Sequence, residues 1–228
     1  MQVFGCGFMQ SYGLTETTQA LTFLTPADHE RALSDRADLL QSAGRAIPDT
    51  EIRIVDAHDQ PVPAGALGEI VARGPQMMRA YWNMPEETAE TLRGGWLHTG
   101  DIGRLDEEGY LFVQDRLKDM IVSGGENVYP RAVENILLAH PAVLDAVVIG
   151  VPDARWGETV KGVLVLKEGQ AADEAELIAH CRQFLGGFEI PRSIDVVEAL
   201  PRNATGKVLK RVLREQYWVG EQIRVAGA

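Results

Sequence analysis

"QDRLKDMIVSGGENVYP", residues 114–130, separates two patterns of sequence, and the fold is read from what lies on either side. Upstream the apolar spacing is two. In "EIRIVDA" (51–57) Ile52 and Ile54 alternate with charged neighbours, "VPAGALGEIVARG" (62–74) reads as a turn and a strand, and so does "EEGYLFVQD" (107–115). Short strands punctuated by Gly and Pro predict a small β-sheet or distorted barrel over about 43–113. Around it, "GFMQSYG" (7–13) reads as a strand running into a glycine turn, and 27–42 as a polar helical excursion. "MPEETAETLRGGW" (84–96) reads as a short helix ended by Gly94 and Gly95.

Downstream the pattern changes. Pro130 can open a helix whose apolar face is Val133, Ile136 and Leu137. "LDAVVIGVPD" (144–153), "VKGVLVLKEG" (160–169) and "SIDVVEAL" (193–200) read as strands. Asp173 with Glu176 starts a second helix like a capping box, with Leu177, Ile178, Cys181, Phe184 and Leu185 as its stripe. Val208, Leu209, Val212 and Leu213 repeat at i, i+4 in a third. Strands alternating with helices predict a small α/β domain. The expected fold is therefore mixed α+β: residues 1–115 with the β-barrel-like part, then a small domain over 116–228.

Charge follows the same division. All five lysines come after residue 116, whereas before it acidic residues outnumber arginines roughly two to one. With a net charge of -11 overall, the chain is a poor partner for a nucleic-acid backbone. No apolar run approaches the ~20 residues of a bilayer span. The start, "MQVFGCGFMQ", lacks the basic flank of a signal peptide. Cys6 and Cys181 stand far apart and outside any CxxC pattern, so two free thiols in a reducing cytoplasm are expected.

Four stretches carry chemistry-bearing residues. In "SYGLTETT" (11–18), hydroxyl residues around Gly13 after a strand can wrap a phosphate with backbone N–H groups, and Glu16 adds a hard oxygen ligand. The plain alternative is a polar turn. "GWLHTGD" (95–101) ends in Asp101, whose carboxylate can accept both hydroxyls of a ribose; the alternative is an Asx turn. His98 beside it has no second candidate ligand in the local sequence and reads as structural. In "DRLKDMIVSGGENVYP" (115–130), Arg116 offers a planar fork for an oxygen-rich ligand, and Gly124-Gly125 permits close backbone approach; the same stretch serves equally as a linker and loop. "ALPRNATGKVLKR" (199–211) places Lys207 at a glycine turn before a helix. It is not a P-loop, because the GxxxxG spacing is missing, yet a loop-borne lysine can neutralise charge that builds on a phosphoryl or carboxyl oxygen. A cation at a helix start is mildly disfavoured by the dipole, which hints that Lys207 is there for an anion.

Taken in order, YGxTE, TGD, DRxKDxIxxGGENVYP and PRNxTGKxLKR resemble the motif series of the AMP-forming acyl-CoA synthetases. These belong to the adenylate-forming superfamily, which also holds beetle luciferases and peptide-synthetase adenylation domains. The resemblance covers nearly the whole chain. It implies that Tyr12 stacks on adenine beside Gly13, Thr15 touches the phosphate of AMP and Glu16 holds Mg²⁺. Asp101 would bind the ribose hydroxyls with Arg116 beside it, and Lys118 would be the interdomain hinge. Lys207 would bridge the substrate carboxylate and the nucleotide during adenylation. Gly125 would line the pantetheine tunnel in the thioester-forming step, with Trp156, Phe188 and Arg192 near the CoA nucleotide. The implied partners are a carboxylic acid, ATP and CoA. The family's small domain takes two orientations, one presenting Lys207 and one the Gly-Gly face.

The sequence departs from that pattern at its front. Full-length members carry a Ser/Thr/Gly-rich loop ending in Pro-Lys-Gly for the β,γ-phosphates, and no such loop occurs here. The chain reads as the back portion of a synthetase, whether a gene fragment, a split subunit or a truncated product; it is expected to be inactive alone, with a separate N-terminal chain or another protomer as candidate partners, and to expose an apolar patch at the cut edge. Three functions follow: a medium- or long-chain fatty acid activated and passed to CoA, with aryl acids next; a non-catalytic nucleotide- or CoA-binding remnant; and an adenylating enzyme that acylates a carrier protein.

Overall fold

A computed structural model describes residues 4–218; the outermost parts of both expected domains, 1–3 and 219–228, lie outside the described residues. The backbone resolves into two compact units, one ending at Gln114 and one beginning at Asp115. No helix among the described residues is long and apolar enough to cross a membrane.

The first unit holds two antiparallel sheets. Strands β1 (Gln10–Tyr12), β2 (Thr22–Leu24) and β3 (Arg45–Ala46) form a three-stranded sheet in that order. Helix α1 (Pro26–Ala32) follows β2 because Thr25 and Asp28 close a capping box around a proline at the first turn. The period-two stretches then form β4 (Glu51–Val55), β5 (Gly68–Arg73), β6 (Leu97–Leu105) and β7 (Leu111–Arg116), ordered β4-β5-β6-β7. This sheet is open among the described residues; it does not close into a barrel, and a Gly44–Leu111 bridge joins it to the other sheet. Helix α2 (Pro85–Thr91) interrupts the β5–β6 connection. One core gathers Leu24, Ala32, Leu39, Tyr110 and Phe112, and another Ala43, Ile54, Ile70 and Leu111. Phe4, Phe8 and Met9, just before β1, are 74%, 39% and 60% exposed, an apolar patch at the β1 end of this unit.

The second unit is an α/β sandwich. Hairpin β8 (Ile121–Ser123) and β9 (Glu126–Val128) precedes helix α3 (Pro130–Leu138). The long hairpin β10 (Val143–Asp153) and β11 (Gly157–Leu166) is followed by α4 (Glu174–Cys181), β12 (Ser193–Val196) and α5 (Lys210–Tyr217). Strand β12 pairs parallel with β11; the other pairs are antiparallel. The unbroken apolar run of β10 follows from burial on both faces. Ala146 and Val148 face Val133, Leu137, Leu177 and Cys181, while Val147, Ile149 and Val151 join Leu200 and Leu213. Asp173 caps α4 by accepting from the Glu176 N–H at 2.8 Å. That helix ends at Cys181, so the expected stripe stops there and Phe184, 61% exposed, lies beyond it. Both cysteines are free; burial pushes the Cys181 thiol up to about 11.

Candidate functional site

In the first unit the glycine turn after β1 is built by close approach. A Cβ on Gly13 would stand 1.9 Å from the Gln19 carbonyl oxygen, so no side chain fits there. The next residues form one 3-10 turn, Thr15–Thr17. Thr17 closes it, its hydroxyl donating to the Leu14 carbonyl and accepting from the Leu14 N–H, both at 2.9 Å. A stretch the sequence analysis passed over, Gln76–Tyr81, runs alongside. The Thr18 hydroxyl donates to the Gln76 carbonyl at 2.9 Å, the Met78 N–H to the Glu16 carbonyl at 2.7 Å, and the Tyr81 hydroxyl to Glu16 Oε1 at 2.7 Å.

Tyr12 reaches across 89 positions to donate its hydroxyl to Asp101 Oδ2 at 2.7 Å. Asp101 is buried on β6, where Thr99 supports it: the Asp101 N–H donates to Thr99 Oγ1, whose hydroxyl donates to the Ile70 carbonyl. Tyr12 and Asp101 are thus one pair, and Thr15 and Glu16 stand three and four residues past Tyr12, on the single 3-10 turn that follows β1. The donor chemistry at Glu16 fits a hard divalent cation. Oε1 is held by Tyr81, and Oε2 takes no hydrogen bond among the described residues. One such carboxylate oxygen completed by substrate phosphates is how Mg²⁺ is commonly bound.

His98 is not the isolated histidine its local sequence suggested. The fold brings Asp59 and Glu69 to it, with potential ligand atoms within 4.8 Å of one another. A guanidinium already occupies that cluster. Arg93 holds Asp59 at 3.0 Å and Glu69 at 3.3 Å, His98 Nδ1 bonds Glu69 Oε2 at 2.8 Å, and the Gly100 N–H donates to Glu69 Oε1. Tied by these bonds, the cluster is a structural link between β5, β6 and the 56–60 turn.

The second unit carries the remaining candidates. Gly124 and Gly125 have φ of 62° and 91°, in the left-handed region that favours glycine. A Cβ on Gly124 would lie 2.6 Å from the Trp156 ring, and its N–H donates to the Trp156 carbonyl at 2.9 Å; a Cβ on Gly125 would meet open space. The Arg155 guanidinium sits 4.5 Å over the half-exposed Trp156 ring, and Asp153 Oδ1 accepts the N–H groups of both residues. Those two backbone bonds hold the Asp153 carboxyl below its usual range. Phe188 and Arg192 are exposed, the latter anchored through its N–H to the Val160 carbonyl.

Arg116 ends β7, its N–H donating to Asp115 Oδ1 at 2.7 Å, while Asp115 Oδ2 accepts the Arg131 N–H at the start of α3. Lys118 lies on a 3-10 turn, Leu117–Asp119. Arg214 of α5 donates to the carbonyls of Lys118 and Asp119 at 3.1 and 3.2 Å. The Lys207 turn is organised by Asn203, whose Oδ1 accepts from the N–H groups of Thr205 and Lys207 and from the Thr205 hydroxyl. Lys207 itself is exposed, and helix α5 begins only at Lys210. Lys207 therefore stands outside the helix, and the dipole penalty expected of it does not apply. Tyr81, Asn203 and Arg214 escaped the sequence analysis because each acts through a partner distant in sequence or through a backbone carbonyl. Only Asn203, in an Asn-x-Thr-Gly turn, carried a local signal.

Comparison with known proteins agrees with this arrangement. The profile of the AMP-binding enzyme family matches residues 1–82, and that of the AMP-binding enzyme C-terminal domain matches 132–207. The fatty acid–[acyl-carrier-protein] ligase ScoC of Streptomyces coeruleorubidus is 43% identical over 218 residues, 96% of this chain and 41% of its own. A feruloyl-CoA synthase of an Amycolatopsis species is 44% identical over 216 residues, 93% of this chain and 42% of its own. The medium/long-chain-fatty-acid–CoA ligase FadD8 of Mycobacterium tuberculosis is 41% identical over 224 residues, 95% of this chain and 38% of its own. ATP-bound MatB from Rhodopseudomonas palustris superposes with a TM-score of 0.84 at 37% identity, over 93% of this chain and 41% of that one. The o-succinylbenzoate CoA synthetase MenE of Bacillus subtilis, solved with ATP and magnesium ion, gives 0.80 at 38% identity, over 95% and 42%. The chain belongs to the AMP-binding enzyme family, a family of adenylate-forming ligases, and corresponds to the C-terminal portion of its relatives. It spans about two fifths of the length of the curated relatives it matches.

Proposed function

We propose that this chain is part of a ligase that activates a carboxylic acid with ATP as an acyl-adenylate and passes the acyl group to the thiol of CoA. A carboxylate is a poor electrophile, and making AMP its leaving group is what the first step achieves. The protein's share is positioning and charge. Tyr12 offers a ring face to adenine, Asp101 accepts the ribose hydroxyls with Arg116 nearby, and Thr15 touches the α-phosphate. Glu16 holds Mg²⁺, which when bound neutralises phosphate charge. Lys207 supplies positive charge during adenylation, and Lys118 is the hinge. Gly125, with no side chain to obstruct it, and the Trp156 face receive the thiol substrate in the second step. The divisions 1–115 and 116–228 serve as the end of the large domain and the small domain.

The observation that carries this reading is the Tyr12–Asp101 hydrogen bond, which joins two motifs of the series 89 residues apart. A medium- or long-chain fatty acid is the preferred substrate, supported by the fatty-acid ligases among the relatives, and an aryl acid such as that named for the feruloyl-CoA synthase comes next. The two free thiols favour a cytoplasmic setting. The test is ATP–pyrophosphate exchange over a panel of carboxylic acids, using the full-length protein or this chain joined to the amino-terminal part of a relative. Lys207→Ala should lower exchange on the order of 10²–10³-fold, yet leave thioester formation from a supplied acyl-adenylate nearly intact. Undiminished exchange would remove Lys207 from the reaction. The carrier-protein ligase among the relatives favours a second reading, in which the acceptor is a carrier-bound thiol. Competition between free CoA and a carrier protein separates the two.

A further inference from the structure

We infer that Tyr81 is a positioning residue for the metal-binding carboxylate, holding one oxygen of Glu16 so that the other stays directed at the cation. The inference rests on the reading of Glu16 as the Mg²⁺ ligand. A half-exposed carboxylate on a single 3-10 turn has three rotatable bonds and a poor prospect of holding one orientation unaided. Here the turn is tied at its Glu16 carbonyl by the Met78 N–H and at Thr18 by the Gln76 carbonyl, and the side chain is tied at Oε1 by the Tyr81 hydroxyl at 2.7 Å. Tyr81 is itself fixed from behind. Its N–H donates to Thr88 Oγ1 at 3.0 Å, and the Thr88 hydroxyl donates to the Met84 carbonyl within the first turn of α2. A line of hydrogen bonds thus runs from α2 through Tyr81 to Glu16, within one unit. The phenol is suited to the task. It is uncharged, so it does not compete with a cation as a guanidinium would, and a hydrogen bond to an ionised acceptor is among the stronger kinds. The Asp59–Glu69–His98 cluster makes the contrast: there Arg93 holds the carboxylates and takes the cation's place.

The test uses Mn²⁺ as the probe, in the full-length protein or the joined chain described above. Free Mn²⁺ is followed by electron paramagnetic resonance during titration at fixed ATP, and AMP binding is measured without metal. Tyr81→Phe keeps the ring and removes the donor. It should raise the Mn²⁺ concentration for half-saturation by about tenfold, the order expected for losing one hydrogen bond to a charged group, with AMP affinity unchanged. Thr88→Val, which leaves the Tyr81 hydroxyl present but unbraced, should shift it in the same direction by less. If Tyr81→Phe leaves the Mn²⁺ titration unchanged while Glu16→Gln weakens it, the role of Tyr81 is overturned and that of Glu16 stands. If neither moves it, the reading of Glu16 fails and this inference with it. If Mn²⁺ and AMP binding weaken together, Tyr81 only supports the fold of the loop, and the inference is overturned.

Discussion

Gly13 is the position where one atom decides whether the turn after β1 can form. The space a Cβ would need holds the Gln19 carbonyl, so Gly13→Ala must push apart the two arms of the turn that carries Thr15 and Glu16. The expected cost is about 2–4 kcal/mol, in the range of the larger single-site effects. Chemical denaturation of wild type and variant measures it, and a loss within error would mean that the arms separate more easily than the geometry allows. Lys207 is the opposite case. Its side chain is exposed and, among the described residues, its backbone is held by the turn that Asn203 organises, so its removal should leave stability untouched while, on the proposed function, removing charge from the adenylation step.

At the scale of elements, α1 shows how a charged residue is kept inside. Asp28 is 5% exposed, and burial alone would raise its pKa. Hydrogen bonds from the Tyr110 hydroxyl and from Thr25, with the Arg45 charge beyond, outweigh burial and hold the carboxyl below its usual range. A carboxyl with a depressed folded pKa contributes stability above its unfolded value, and that contribution is lost as pH falls from about 4 through the folded value. Asp28→Asn should therefore destabilise the first unit on the order of 1–3 kcal/mol at pH 7. The gap from wild type should narrow steadily below pH 4. Urea unfolding of both proteins at pH 7, 4 and 3 checks this, and a gap that stays constant with pH would show that Asp28 acts by shape alone.

For the whole molecule, each unit has cores drawn from its own residues. The second packs helices on both faces of its sheet, and among the described residues the clusters around Leu137 and Ile149 are drawn from residues after 115. The fragment 115–228 should fold alone and unfold cooperatively, with a urea slope of about 1–2 kcal/mol/M. The fragment 1–114, which leaves Phe4, Phe8 and Met9 exposed, should associate or bind a hydrophobic dye. Sedimentation and dye binding of the two fragments measure this, and a second fragment that fails to unfold cooperatively would refute its autonomy.

Local pattern alone determined much of this protein. The two-residue alternation of 51–57 became β4, the apolar run of 144–153 became the doubly buried β10, Asp173 became a helix cap, and the order of four motifs pointed to the family. These are signals written in neighbouring residues, where spacing and turn chemistry act directly. What only the tertiary structure decided is which distant groups meet. The Tyr12 hydroxyl finds Asp101 and Tyr81 finds Glu16, while Arg93 fills the acid–histidine cluster and Arg214 grips the turn at Lys118. The four-stranded sheet also stays open, and α4 stops at Cys181. A hydrogen bond depends on the positions of two atoms to within a fraction of an ångström, and those positions are set by strand order and packing across the unit. No window of sequence around either partner contains that information.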